Sequence, residues 1–194
     1  MARHEEAEEF GGYFIINGNE KIIRYLILPR RNYPFAINRP SFAKRGPTYT
    51  PYGIQIRCVR PDQQGVTNVL HYCSNGSATL RFTWRKNEYM VPVAILLKAL
   101  VGATDKEIFE SVMMGDYQNT FLTDRMELLL RSFKSYRLYT GNQCLEFLGE
   151  KFRSVLDMPE DYSNFRLGCE LVERLVLVHL ETPRDKYRML TYAL

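Results

Sequence analysis

Hydrophobic residues recur with the short period of strands in the first half of the chain and with a helical period in the second half. An apolar run at residues 13–16 and a longer one at residues 20–28 flank Asn17-Gly18. Asn-Gly accepts the positive φ angles that a type I′ turn requires, so this stretch predicts a β-hairpin. Residues 53–60 then alternate as a further strand.

A second hairpin is predicted for residues 66–73 and 77–85, around Asn75-Gly76. If that turn contains two residues, the pairing follows, and paired residues share a side of the sheet. The pairs would be Cys73 with Ala78, His71 with Leu80, Val69 with Phe82, and Thr67 with Trp84. The face carrying His71, Leu80 and Phe82 would then belong mostly to the core.

After Pro92 the apolar positions repeat every three to four residues, which is typical of amphipathic helices. Thr104 with Glu107 and Thr140 with Gln143 have the spacing of capping boxes, and a last helix is predicted from Pro183. The fold class is therefore α+β. We expect N-terminal β-hairpins forming a small antiparallel sheet, followed by a cluster of about five to six helices.

A proline-rich stretch at residues 29–53 separates the two hairpins and predicts an irregular or extended connector. Its charge is unusual, because residues 21–61 contain nine Lys or Arg residues and no Asp or Glu. The first twenty residues, in contrast, hold five Glu and one Arg. Such asymmetry indicates either a surface that faces a polyanion or a solvated basic loop. The candidate nucleic-acid-binding residues are Arg30, Arg31, Arg39, Lys44 and Arg45.

Composition narrows the class of protein. The 194 residues are 45% hydrophobic and 25% charged, which is typical of a soluble globular protein. No apolar run approaches the ~20 residues that span a bilayer, and four irregularly spaced cysteines indicate a reducing compartment. No phosphate-binding loop or catalytic constellation is present. A zinc site using His71, Cys73 and Cys58 lacks a fourth ligand, so buried core side chains are the better interpretation.

Residues 11–23, GGYFIINGNEKII, resemble the signature of the second-largest subunits of multisubunit RNA polymerases. The continuation LPRRNYP at residues 28–34 and KRGPTY at residues 44–49 resembles the polymerase I version, with the polymerase II and III versions as alternatives. The similarity extends to about Leu190. It implies that residues 1–40 are the C-terminal part of the protrusion domain and a connector, and that residues 41–194 are the lobe domain.

The resemblance also implies a function. The chain would be a non-catalytic part of a DNA-directed RNA polymerase, a nucleotidyltransferase that acts in the nucleus and nucleolus, and would line the DNA-binding cleft. It would also offer a docking surface for the largest subunit, a TFIIF-like heterodimer and a zinc-ribbon cleavage subunit. Magnesium and zinc would be bound elsewhere in the assembly, with no cofactor in this chain. The alternative is a protein-interaction module that makes no DNA contact.

Overall fold

The computed structural model describes residue 8, residues 11–159 and residues 161–194. The acidic stretch before Gly11 therefore lies, apart from Glu8, outside the described residues. Within them the structure has a two-stranded sheet, then a five-stranded sheet that includes one 3-10 helix between its first two strands, and then six α-helices. The predicted α+β class, with the strands preceding the helices, is confirmed.

The first hairpin pairs β1, Phe14–Ile16, with β2, Asn19–Lys21. Its two-residue turn has φ angles of 53° at Asn17 and 76° at Gly18, as predicted for type I′. The second strand ends at Lys21, so the prediction of a strand to residue 28 was wrong. Residues 22–30 are all exposed and pair with no strand among the described residues, so their backbone groups are left to hydrogen-bond with water instead of a partner strand.

The five-stranded sheet is an antiparallel meander in which each strand pairs with the next in sequence. Its first strand lies inside the predicted connector, at an edge of the sheet, where a proline can begin a strand without removing a needed donor. The strands are β3, Pro34–Asn38; β4, Tyr49–Val59; β5, Gly65–Cys73; β6, Ala78–Trp84; and β7, Asn87–Pro92. The 3-10 helix Pro40–Arg45 connects β3 to β4.

The predicted register of the second hairpin was wrong by one residue. The Cys73 N–H donates to the Ser77 carbonyl, so the loop has three residues, with Gly76 in the left-handed region at φ 85°. Leu70 consequently faces Leu80, and His71 faces Thr79. A one-residue slip moves every side chain of one strand to the opposite face relative to its partner.

The two faces of the sheet therefore differ from the prediction. The inner face, covered by the α-helices, carries Leu70, Leu80 and Phe82 in the main core. The outer face carries Val69 and His71, which are buried as well but lie outside that core. Phe42 of the 3-10 helix covers His71, and this helix packs against the same side of the sheet.

The helical half packs around α1, Val93–Val101, whose residues 93–100 are all buried. The capping boxes at Thr104 and Thr140 are formed as predicted, and the last helix begins at Pro183. The remaining helices are α2, Asp105–Met113; α3, Thr120–Lys134; α4, Gly141–Leu156; α5, Asn164–Leu175; and α6, Pro183–Ala193. Among the described residues, none of these helices has the length and apolar character needed to traverse a bilayer.

Two asparagines join elements that are distant in sequence. Asn68 on β5 is 1% exposed and donates from Nδ2 to the Leu175 carbonyl at 2.9 Å, while the Leu177 N–H donates to its Oδ1 at 2.8 Å. Asn32 lies just before β3, and its side chain makes two hydrogen bonds with the backbone of Val59. The first side chain fastens the sheet to the end of α5, and the second fastens the start of the sheet to the end of β4.

Candidate nucleic-acid interface

The five predicted nucleic-acid-binding residues fall into two groups at opposite ends of β3. Arg30 and Arg31 precede the strand, whereas Arg39, Lys44 and Arg45 follow it. The backbone of Arg31 forms an isolated parallel β-bridge with the backbone of Arg57, and the Arg39 N–H donates to the Pro51 carbonyl. At about 3.3 Å per residue, the eight steps from Arg31 to Arg39 span roughly 26 Å along the extended chain. The prediction of one basic connector therefore resolves into two separate groups.

The first group is exposed and loosely held. The Arg31 Nη1 donates to the Gln63 side chain at 2.9 Å, and the Arg30 guanidinium lies 5.0 Å from the centre of the Tyr33 ring. Neither contact neutralises a positive charge. Both guanidinium groups keep their full charge at the surface, where the solvent also screens it.

The second group is organised around Phe42, the one buried residue of the 3-10 helix. Arg39 and Arg45 lie 5.6 and 5.9 Å from the centre of the Phe42 ring, and His71 packs edge-on against the same ring at 4.5 Å. Gly53 on β4 makes room for the ring, because a Cβ there would lie 3.4 Å from Phe42 Cε2 and 2.6 Å from the Leu70 carbonyl oxygen. The sheet therefore holds both arginines at defined positions.

An ion-pair network links this group to the far strands of the sheet. Arg45 Nη1 lies 2.6 Å from Glu88 Oε2, and Arg81 Nη1 contacts the other carboxylate oxygen. The hydrogen bond from Arg45 is the main reason that the pKa of Glu88 lies below its usual value. The pKa of Arg81 also lies below its usual value, in this case mainly because burial disfavours the charged guanidinium.

Sequence reasoning missed the contribution of Arg81 and Glu88. Only the observed register, in which Arg81 lies opposite Met90, brings Arg81 beside Glu88 on the outer face. Lys44 is exposed, and neither it nor the Arg39 guanidinium has an ion pair among the described residues. Among the described residues, the surface around the 3-10 helix thus brings four basic side chains, Arg39, Lys44, Arg45 and Arg81, together with the carboxylate of Glu88.

The residues considered for zinc do not come together. Cys58 belongs to the inner core, while His71 lies on the outer face between Phe42 and Tyr49. Burial raises the pKa of the Cys58 thiol to about 12 and lowers the pKa of His71 to about 4. Neither ring nitrogen of His71 has a hydrogen-bond partner among the described residues. Those residues contain no cluster of three or more His, Cys, Asp or Glu that could hold a metal ion.

Comparison with known proteins identifies the family. The model of the family "RNA polymerase Rpb2, domain 2" matches residues 30–194, which is most of the chain. The chain belongs to this family. The match begins at Arg30, so this Rpb2 domain 2 includes both groups of candidate basic residues together with the whole five-stranded sheet and all the described α-helices.

The relatives of this Rpb2 domain 2 agree with the polymerase I resemblance. The whole chain is 56% identical over 99% of its length to a probable DNA-directed RNA polymerase I subunit RPA2 of Schizosaccharomyces pombe. It is 55% identical over 97% of its length to subunit RPA135 of Saccharomyces cerevisiae, and 43% identical over 98% to human subunit RPA2. The chain spans only 16–17% of the length of these relatives. The resemblance stated from GGYFIINGNEKII is confirmed.

Proposed function

We propose that this Rpb2 domain 2 is a non-catalytic part of the second-largest subunit of DNA-directed RNA polymerase I. In this role it lines the DNA-binding cleft during transcription of ribosomal RNA genes, in the nucleus and specifically the nucleolus. The nucleotidyltransferase reaction belongs to the assembled polymerase, whose magnesium and zinc we place in other parts of the assembly. The division into the end of a protrusion, residues 1–40, and a lobe, residues 41–194, remains part of this proposal, and the five-stranded sheet continues on both sides of that boundary.

The observation that carries the DNA-facing role is the excess of positive charge on the outer face of the sheet. Four basic side chains surround one carboxylate there, and the helices cover the opposite face. Guanidinium groups suit phosphate because their planar fork can donate two parallel hydrogen bonds. Contacts of this kind position a duplex without reading its sequence.

Charge neutralisation tests this role. The variant with Arg30, Arg31, Lys44 and Arg45 all replaced by Gln should bind duplex DNA more weakly. The slope of log K against log salt should flatten by about 0.9 for each phosphate that the variant no longer neutralises. Fluorescence anisotropy with a labelled duplex at several salt concentrations measures both quantities.

The matched control removes the same number of charges from the helical half. Its four exposed residues, replaced by Gln, are Lys106, Lys134, Lys151 and Arg184. We expect this control to change the salt slope much less than the first variant. Equal slopes for the two variants would remove the DNA role from the basic connector.

The second candidate function is a protein-interaction module within the polymerase. An apolar groove of about 490 Å³ between the second hairpin and α3 favours it, and Phe121 beside this groove is 71% exposed. The partners would be other polymerase I subunits: the largest subunit, the TFIIF-like heterodimer or the zinc-ribbon cleavage subunit. Phe121→Asp should reduce capture of such a subunit by the purified chain, whereas Tyr139→Asp, at a position 76% exposed, should not. Capture that both variants retain would exclude the groove.

A further inference from the structure

Glu88 on β7 lies between two arginines that come from different elements. Arg45, at the end of the 3-10 helix, contacts one carboxylate oxygen, and Arg81, on β6, contacts the other. The Glu88 side chain is 42% exposed, whereas Arg45 and Arg81 are 23% and 13% exposed. The carboxylate thus lies on the solvent side of a pair of guanidinium groups that the fold already holds together.

Arg39 adds a third positive charge to this place. It shares the Phe42 ring with Arg45, and its guanidinium has no hydrogen bond or ion pair among the described residues. The positive charges of Arg39 and Arg45 also help to lower the pKa of Arg81, after the larger effect of burial, which indicates that the three groups lie close enough to repel one another. One carboxylate leaves this cluster with an excess of positive charge.

The cluster is held in place before any ligand binds. Phe42 is buried against the outer face of the sheet, and the 3-10 helix that carries Arg39 and Arg45 at its ends follows that ring. Arg81 emerges from the middle of β6, a central strand of the sheet. Side chains already restrained in this way lose less conformational entropy when they bind an anion.

We propose that Arg39, Arg45 and Arg81 form a binding site for a backbone phosphate of nucleic acid, and that Glu88 occupies this site when no nucleic acid is bound. The proposal rests on the DNA-facing function proposed above. It goes beyond the residues predicted from the sequence, because it makes Arg81 a phosphate-binding residue and Glu88 a competitor of the phosphate. The phosphate accepts hydrogen bonds from the guanidinium groups that Glu88 releases, and the freed carboxylate turns into the solvent. No covalent bond is made or broken in this exchange.

Glu88→Gln tests the competition, since it keeps the shape of the side chain and removes its negative charge. A labelled duplex should bind this variant about threefold to tenfold more tightly at low salt, because the phosphate no longer competes with a charge-assisted hydrogen bond. The slope of log K against log salt should steepen by up to about 0.9, the value for one additional neutralised phosphate. An unchanged or weaker affinity would overturn the proposal.

The matched control is Glu127→Gln, which frees one arginine on the helical half. Glu127 is an exposed glutamate paired with Arg131. If it tightens DNA binding as much as Glu88→Gln does, net charge alone explains the gain, and the specific site is excluded. Arg81→Gln should abolish the gain from Glu88→Gln, and Arg39→Gln, at an exposed position, should reduce it and serves if the Arg81 variant does not fold.

Two further measurements separate the possible failures. Polyglutamate in place of DNA tests an acidic protein partner, and a gain restricted to polyglutamate would overturn the nucleic-acid assignment. If neutralising Arg30, Arg31, Lys44 and Arg45 leaves DNA binding unchanged, the proposed function itself fails. If that variant loses binding while Glu88→Gln matches its control, only the phosphate site fails.

Discussion

The amide of Asn68 offers a direct test of how the sheet is joined to the helices. Its Nδ2 donates to the carbonyl of Leu175, the last residue of α5, and its Oδ1 accepts from the N–H of Leu177. Leu175 and Leu177 are both 0% exposed, so water cannot replace the amide. Asn68→Ala therefore leaves one carbonyl and one N–H buried without partners.

The expected loss of stability in Asn68→Ala follows from the unpaired Leu175 carbonyl and Leu177 N–H. Each buried backbone group left unsatisfied costs about 1–3 kcal/mol, so the pair should lower the free energy of unfolding by about 2–6 kcal/mol. A central value of about 4 kcal/mol corresponds to a fall in Tm of roughly 8–16 °C for a domain of this size. The effect is large because the net stability of a domain is only about 5–15 kcal/mol.

Urea unfolding followed by circular dichroism, together with thermal melting, measures this loss. The matched control is Asn142→Ala, at an exposed position in the first turn of α4, which should change the free energy of unfolding by less than about 0.5 kcal/mol. A Tm for Asn68→Ala within about 2 °C of the wild type would refute the reasoning, since it would mean that the two backbone groups find other partners.

Three further changes have defined outcomes. Gly149→Ala places a Cβ 1.8 Å from the Asn164 carbonyl oxygen and should lower the unfolding free energy by about 3 kcal/mol in urea titration, whereas Gly65→Ala, with its nearest neighbour at 3.6 Å, should be near neutral. Burial lowers the pKa of His71 from 6.5 to about 4, so the unfolded chain binds more protons than the folded chain, and stability should fall as the pH drops from 6.5 towards 4. Urea midpoints measured over this pH range should change less in His71→Leu than in the wild type. The same pH dependence in both proteins would contradict the role of His71. Thr140→Ala removes a capping box and should cost about 1 kcal/mol by thermal melting, with a loss below the measurement error counting against it.

The two Asn-Gly turns show where sequence reasoning succeeds and where it fails. Asn17-Gly18 forms the predicted two-residue turn, whereas Asn75-Gly76 belongs to a three-residue loop in which the Asn75 side chain accepts a hydrogen bond from the Ser77 N–H. A Cβ on Gly76 would lie 2.4 Å from Leu128, so α3 packs against this loop. The Asn-Gly dipeptide predicts that the chain turns, but it does not predict whether the loop has two or three residues. In the three-residue loop, Gly76 is in contact with α3, which is distant in sequence.

The candidate interface was predictable only in part. The run of basic residues identified Arg39 and Arg45, since a count of charges needs no structure. Glu88 lies 43 residues beyond Arg45, and only the order and register of the strands bring the two together. The helix caps, in contrast, depend on residues three positions apart and were predicted correctly. Sequence patterns within a few residues thus predicted the helix caps, whereas the contact between Arg45 and Glu88 depends on the pairing of strands that are distant in sequence.

The attachment of Asn32 has a mechanical consequence. Besides the two side-chain bonds to Val59, its N–H donates to the Arg57 carbonyl at 2.8 Å, and its left-handed φ of 57° turns the chain at this point. Three hydrogen bonds therefore attach Asn32 to the end of β4, just after the exposed residues 22–30. Because these bonds hold the start of β3 to the end of β4, we expect a change in the orientation of residues 22–30 to leave the arginines that follow β3 in place on the sheet.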